Sequence, residues 1–329
     1  MVDDLGPLAW VMDELRRSLE AAGTALRRQV REEAIASRSA SSASDSSSLP
    51  MARLQLHQAA GALEMVGLAA PARVVRAMET ATQRFIDDPT RCNESSVVSV
   101  ERAGFAVDEM LDGLLQAKPW SPVALFPQYR AVMALVGADR IHPADLWPLD
   151  GVWRLGDPPD VSFAQADPES TDSLRLRLDQ SLLRVVKSAD TVAARELAGL
   201  CEGLAATETA PGGAAARSLW CLAVGFFEAL SLSLLPFDLY VKRTASRVLV
   251  QYAQLARGDR VVSERLAQDL AFFCAQAVPI DPLSARRLVA VRRAWNLERH
   301  APVDYEVEHF GRFDPLVLAQ VRKLSLIHI

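Results

Sequence analysis

The sequence predicts an all-α protein built as two helical bundles, on three observations. Apolar residues recur at helical spacing along most of the chain, whereas β-branched and aromatic residues rarely alternate with polar ones. Length supplies the second: 329 residues are about twice the ~150 that serve as a prior for one domain. The third is a change of texture between residues 119 and 170, where eight prolines interrupt the helical pattern.

Residues 7–36 read as one amphipathic helix, with Leu8, Trp10, Val11, Leu15, Leu19 and Leu26 on one side and arginines on much of the rest. Residues 37–50 are Ser-rich and too polar to bury, which predicts a loop. Helices are predicted at 51–67, 71–87 and 94–117, bounded by Gly67, Pro71 and Pro89. Four helices with short loops make an up-down bundle over residues 1–118. Residues 119–170 are expected to be a linker, packed through Trp120, Trp147 and Trp153 and holding one short helix near 124–137. A second bundle of five or six helices is expected over 171–298. Residues 299–329 read as the truncated start of a further segment.

Composition excludes several classes. Lys and Arg total 36 against 41 Asp and Glu, a net charge of -5 that argues against a nucleic-acid surface and against docking on an anionic membrane. The four cysteines form no C-x-x-C pair, which points to a reducing, cytoplasmic compartment. Residues 219–237 are apolar enough to span a bilayer, but Glu228 sits at their centre and Pro236 ends them. A buried core helix without membrane insertion is the expectation, with Cys221 and Cys274 as small buried hydrophobes. No phosphate-cradling glycine loop or nucleophile elbow occurs, and no cofactor or metal is implied.

The informative segment is LQLHQAAGALEMVGL, residues 54–68. At about 100° per residue, Ala52, Leu56, Ala59, Leu63 and Val66 form the core stripe. His57 lies at its solvent edge, with Gly61 one turn later and Glu64 two turns later on the same side. A mid-helix glycine costs about 1 kcal/mol against alanine, so Gly61 needs a reason. Here it bares the surface beside an imidazole that a docking protein could reach.

The spacing of His57, Gly61 and Gly67, with Leu63 and Val66 between, resembles the histidine phosphotransfer (Hpt) family. Residues 122–130, 142–147 and 310–315 (PVALFPQYR, HPADLW, FGRFDP) resemble the N-terminal region of the CheA-like hybrid sensor kinases of the type IV pilus chemosensory system, whose second domain is FimL-like. That resemblance implies a phosphorelay module in chemotaxis and twitching motility, with His57 as phosphoacceptor and Arg53, Gly61 and Glu64 at the phosphoryl and receiver-docking surface. The implied partners are a response-regulator receiver domain, a downstream kinase domain of the same polypeptide and pilus-signalling scaffold proteins. Any ATP-dependent kinase activity would belong to that downstream part. Ala60 departs from the pattern, which has a lysine there. A missing charge 4 Å from a phosphate oxygen costs about 1 to 4 kcal/mol, or roughly fivefold to a thousandfold in rate. Arg53, one turn before His57, is a candidate replacement. The residues leave open a scaffold of the same fold without phosphorylation, or an unrelated helical adaptor. The last six residues, LSLIHI, resemble a translated sequencing adapter, and they are expected to carry no function.

Overall fold

The structure, a computed structural model, describes residues 6–39, 48–118, 121–148, 171–208 and 213–312. Among these residues there are eleven α-helices and no strand. The chain divides into two units, Met1–Pro148 with Val303–Ile329, and Leu149–Pro302.

In the first unit, α1 (Gly6–Ser39), α2 (Ser48–Met65), α3 (Ala69–Asp87) and α4 (Glu94–Leu115) form the expected bundle. The seam of α1 is Leu8, Met12, Leu15, Ala22 and Leu26, narrower than the pattern suggested. Trp10 falls outside it and is 89% exposed. Helix α2 lies against both α1 and α3. Gly67, with a φ of 77°, ends it in the left-handed region that other residues avoid. Asn93 starts α4 by accepting from the Ser96 amide at 3.1 Å, while the Ser96 hydroxyl accepts from the Asn93 amide. Arg16 ties α1 to α4, donating to Asp108 at 2.8 Å and to Asp112. Burial nevertheless holds the Asp108 carboxyl above its ordinary range, against the pull of Arg16.

The described part of the expected linker belongs to this unit. Helix α5 (Phe126–Val136) packs on α3 and α4, and Val123, Leu125, Tyr129, Leu146 and Trp147 are buried. Its prolines misled the reading because Pro122, Pro127 and Pro143 each open a helical turn instead of interrupting one. Trp120 and Trp153 lie outside the described residues.

Residues 303–312, expected to begin a further segment, also pack on this unit. Glu306 pairs with Arg130 at 2.7 Å and Glu308 with Arg102 at 2.5 Å. Gln128 donates to the Phe310 carbonyl at 2.7 Å, and the Gly311 amide donates to Glu109 at 3.0 Å. Tyr305 is buried edge-on to Phe126, with ring centroids 6.2 Å apart. A side chain at 311 would bring its Cβ to 2.5 Å from the Arg102 carbonyl, and φ there is 72°. Residues 324–329 lie outside the described residues.

The second unit holds α6 (Thr171–Ser188), α7 (Thr191–Thr207), α8 (Ala214–Ser231), α9 (Leu239–Ala256), α10 (Glu264–Gln276) and α11 (Arg286–Ala294). Helix α8 is its core, packed by α7, α10 and α11. It is the one described helix long and apolar enough to cross a membrane, and 78% of that window is buried inside the protein. Gly225 permits the close approach, since a Cβ there would stand 3.1 Å from Cys274 Sγ and from Val291. Phe226, Phe227, Phe272 and Phe273 pack together, with centroids 5.1 to 5.6 Å apart. Buried Arg292 donates at 2.7 Å to the carbonyls of Cys274, Ala275 and Ala277, satisfying the end of α10. All four cysteines are free and buried. Burial pushes the Cys92 thiol up to about 12 and Cys221 up to about 11, so neither is a thiolate at neutral pH.

Glu228, in the last turn of α8, is 8% exposed and accepts from the Leu288 amide at 2.6 Å, with Arg287 at 3.9 Å. Burial holds its carboxyl above the ordinary range despite these partners.

Two outcomes follow. Gly311→Ala should lower stability by about 1–3 kcal/mol, through positive-φ strain and the clash with α4, and melting curves check this. Because the folded-state pKa of Glu228 is raised, its contribution is full below the ordinary carboxylate value of about 4.3 and is lost as pH rises through the raised value. Glu228→Gln keeps an acceptor for Leu288 but does not titrate. Its melting temperature should therefore gain on the wild type as pH rises from about 4 to 8.

Candidate functional site around His57

Burial of Ala52, Leu56, Ala59, Ala60 and Leu63 turns the opposite side of α2 outward, and this places the site. His57 emerges there with its side chain 58% exposed. Gly61 leaves open space beside it, since an added Cβ would meet nothing within 4 Å. His57, Gln58, Gly61, Ala62, Glu64 and Met65 line a shallow, open depression.

Two residues of α3 complete the arrangement. Glu79 Oε1 lies 2.9 Å from His57 Nδ1. A carboxylate only accepts and a guanidinium only donates, so the Nδ1–H tautomer pairs with Glu79, leaving Nε2 with its lone pair, and the Nε2–H tautomer pairs with Arg76 Nη1. Nε2 has no hydrogen-bond partner among the described residues. Arg76 fills the space between the carboxylates. Its Nε and Nη2 donate to the two oxygens of Glu64 at 2.9 Å each, and its Nη1 donates to Glu79 Oε2 at 2.9 Å. The same Nη1 is 2.9 Å from His57 Nδ1. The hydrogen bonds from Arg76 hold the Glu64 carboxyl below its ordinary range, and those to Glu64 and Glu79 raise the guanidinium further.

Sequence reasoning placed Arg53, His57, Gly61 and Glu64 on one outward face, and the structure brings them onto one surface. The cation beside the ring, however, is Arg76. Arg53 stands 3.9 Å from Glu79 and makes no hydrogen bond to the imidazole. Arg76 and Glu79 were missed because they come from the next helix, 19 and 22 residues after His57. A signal existed, since Arg76 and Glu79 are spaced three apart on the polar side of an amphipathic helix, but nothing in one sequence sets the register of α3 against α2.

Ala60 is also placed differently from what the motif suggests. It is 0% exposed, facing the bundle core. A lysine at 60 would have to bend its stem out of the seam before its charge reached the ring. Ala60→Lys should therefore lower the melting temperature, by about 1–3 kcal/mol of stability, instead of simply repairing the site. A thermal melt of the variant tests this.

The other described histidines do not share this setting. His142 is 4% exposed and its Nδ1 accepts from the Ala144 amide. His309 contacts the Asp304 carbonyl at 2.9 Å. Among the described residues, no group of three or more His, Cys, Asp or Glu could hold a metal ion.

The fold and site define a class of protein: an all-α chain of two helical units, the first presenting an exposed histidine within a charged network. Residues 163–308 match the family described as the FimL scaffold protein second domain, so the chain carries a FimL-like second domain. That match covers the described residues of the second unit, which begin at 171, and runs into the return segment. No curated protein and no solved structure matches the chain.

Proposed function

We propose that this chain is a FimL-like scaffold of type IV pilus chemosensory signalling whose first unit is a histidine phosphotransfer module, with His57 as phosphoacceptor. The observation that carries the reading is the exposed His57 ring beside Glu79, which accepts from Nδ1–H in the tautomer whose Nε2 is the basic nitrogen. In the transfer, the Nε2 lone pair attacks phosphorus and forms the N–P bond. The P–O bond to the receiver aspartate breaks, and its electron pair returns to the aspartate carboxylate. The ring becomes a phosphoimidazolium, stabilised by Glu79 at Nδ1–H until that proton passes to solvent. Gly61 and the open surface around it admit the receiver domain. The second unit, with no histidine from 149 to 299, binds or spaces other components, such as pilus-signalling scaffold proteins or a kinase domain downstream in the polypeptide. A cytoplasmic location goes with this reading and suits four unpaired thiols.

A second reading keeps the scaffold and drops the phosphorylation. It is favoured by the charge balance at the site, where Glu64 and Glu79 offset Arg53 and Arg76 and leave no surplus cation for a phosphoryl group. The two part on one measurement. After incubation with a phosphorylated receiver domain of the same signalling system, the first reading expects acid-labile, alkali-stable phosphate that His57→Gln abolishes. Glu79→Gln should slow uptake about tenfold to a hundredfold, the value of a charge-assisted hydrogen bond of 1.5–3 kcal/mol. Absence of phosphate on the wild type and on variants alike would leave only the scaffold.

A further inference from the structure

We infer that Glu64 is a brake on this acceptor: it sequesters Arg76, the cation that would otherwise stabilise a phosphoryl group on the neighbouring ring. The inference rests on His57 being the phosphoacceptor.

Each nitrogen of the Arg76 guanidinium has a carboxylate partner. Two donors go to Glu64 and one to Glu79, all at 2.9 Å. The two carboxylates are not equally held. Glu79 is 13% exposed at its side chain and is also contacted by His57 and Arg53. Glu64 is 49% exposed, and Arg76 is its one hydrogen-bonding partner among the described residues. Glu64 is therefore the group that can leave.

What it leaves is suited to phosphate. The Nε/Nη2 edge of a guanidinium is a planar fork that accepts a carboxylate or a phosphoryl group in the same two-pronged geometry. Gly61 lies between the ring and Glu64 and keeps the intervening surface bare. A phosphoryl group carries close to two negative charges near neutral pH, so it competes well against the single charge of Glu64 once both are in reach. With Glu64 in place, that added charge faces two carboxylates as well as the two guanidiniums. A docking protein that offers its own cation to Glu64 would release Arg76 at the moment of transfer, which couples docking to reactivity.

The test compares wild type, Glu64→Gln, Arg76→Ala and the double variant, in two assays. In the first, inorganic phosphate is titrated while the Arg76 side-chain N–H and the His57 ring are followed by NMR. Glu64→Gln should show phosphate-dependent shifts at Arg76 at lower phosphate than wild type, and both Arg76→Ala proteins should show none at His57. In the second, phosphate uptake from a phosphorylated receiver domain is timed. Glu64→Gln should accelerate it about fivefold or more, the worth of one unpaired charge nearby, and the double variant should behave as Arg76→Ala alone. Equal phosphate response in wild type and Glu64→Gln overturns the brake, whatever the uptake assay gives. A response confined to Glu64→Gln with no uptake in any protein upholds the sequestered cation and removes the phosphoacceptor reading instead.

Discussion

The apolar seam of α2 has to close against α1 and α3, and the geometry around His57 follows from that requirement. With Leu56, Ala59, Ala60 and Leu63 directed inward, the helix has no rotational freedom left. A turn of about 100°, one residue's worth, would bury the imidazole and expose two of the alanines. The same seam explains why small residues recur along α2. They let the neighbouring helices approach closely enough for a side chain of α3 to reach the outward face of α2. Arg76 and Glu79 do so.

The network they build is poorly suited to a stabilising role. Arg76 is 34% exposed and Glu64 49%, and pairs so open to solvent contribute little to stability. Its chemistry is more telling than its energy. Glu79 accepts from the ring when Nδ1 carries the proton, and Arg76 brings positive charge within hydrogen-bond distance of the imidazole. The contrast with Arg16 and Asp108 is instructive. There the carboxylate is buried, its pKa is raised by burial, and the pair serves to join α1 to α4.

The two units carry different kinds of information. The match to the FimL scaffold second domain spans the unit that has a buried α8, no histidine before 300 and no exposed nucleophile among its cysteines. The first unit closes only when the chain returns through residues 303–312, with Gly311 seated where any side chain would strike the α4 backbone. Folding of the first unit is thereby tied to a segment more than 150 residues downstream of α5, by sequence number.

The all-α class, the five helices of the first unit and the outward position of Arg53, His57, Gly61 and Glu64 were legible in the sequence because each depends on local periodicity. A 3.6-residue repeat assigns faces without knowledge of neighbours. The buried course of residues 219–231 was legible for a similar reason, since Glu228 at the centre of the apolar run 219–237 argued against lipid. Three things were not. The prolines of 121–148 looked like linker punctuation, and only their positions at helix starts against α3 and α4 reveal them as part of the bundle. Residues 303–312 have no periodicity of their own and acquire their place from Arg102, Glu109, Gln128 and Arg130. The cation of the site came from Arg76, across an interhelical register that the side chains of α2 and α3 settle jointly. Sequence spacing determines which residues share a helix face; which faces meet is decided by packing between segments distant in the chain, and the ion network around His57 exists only after that packing is made.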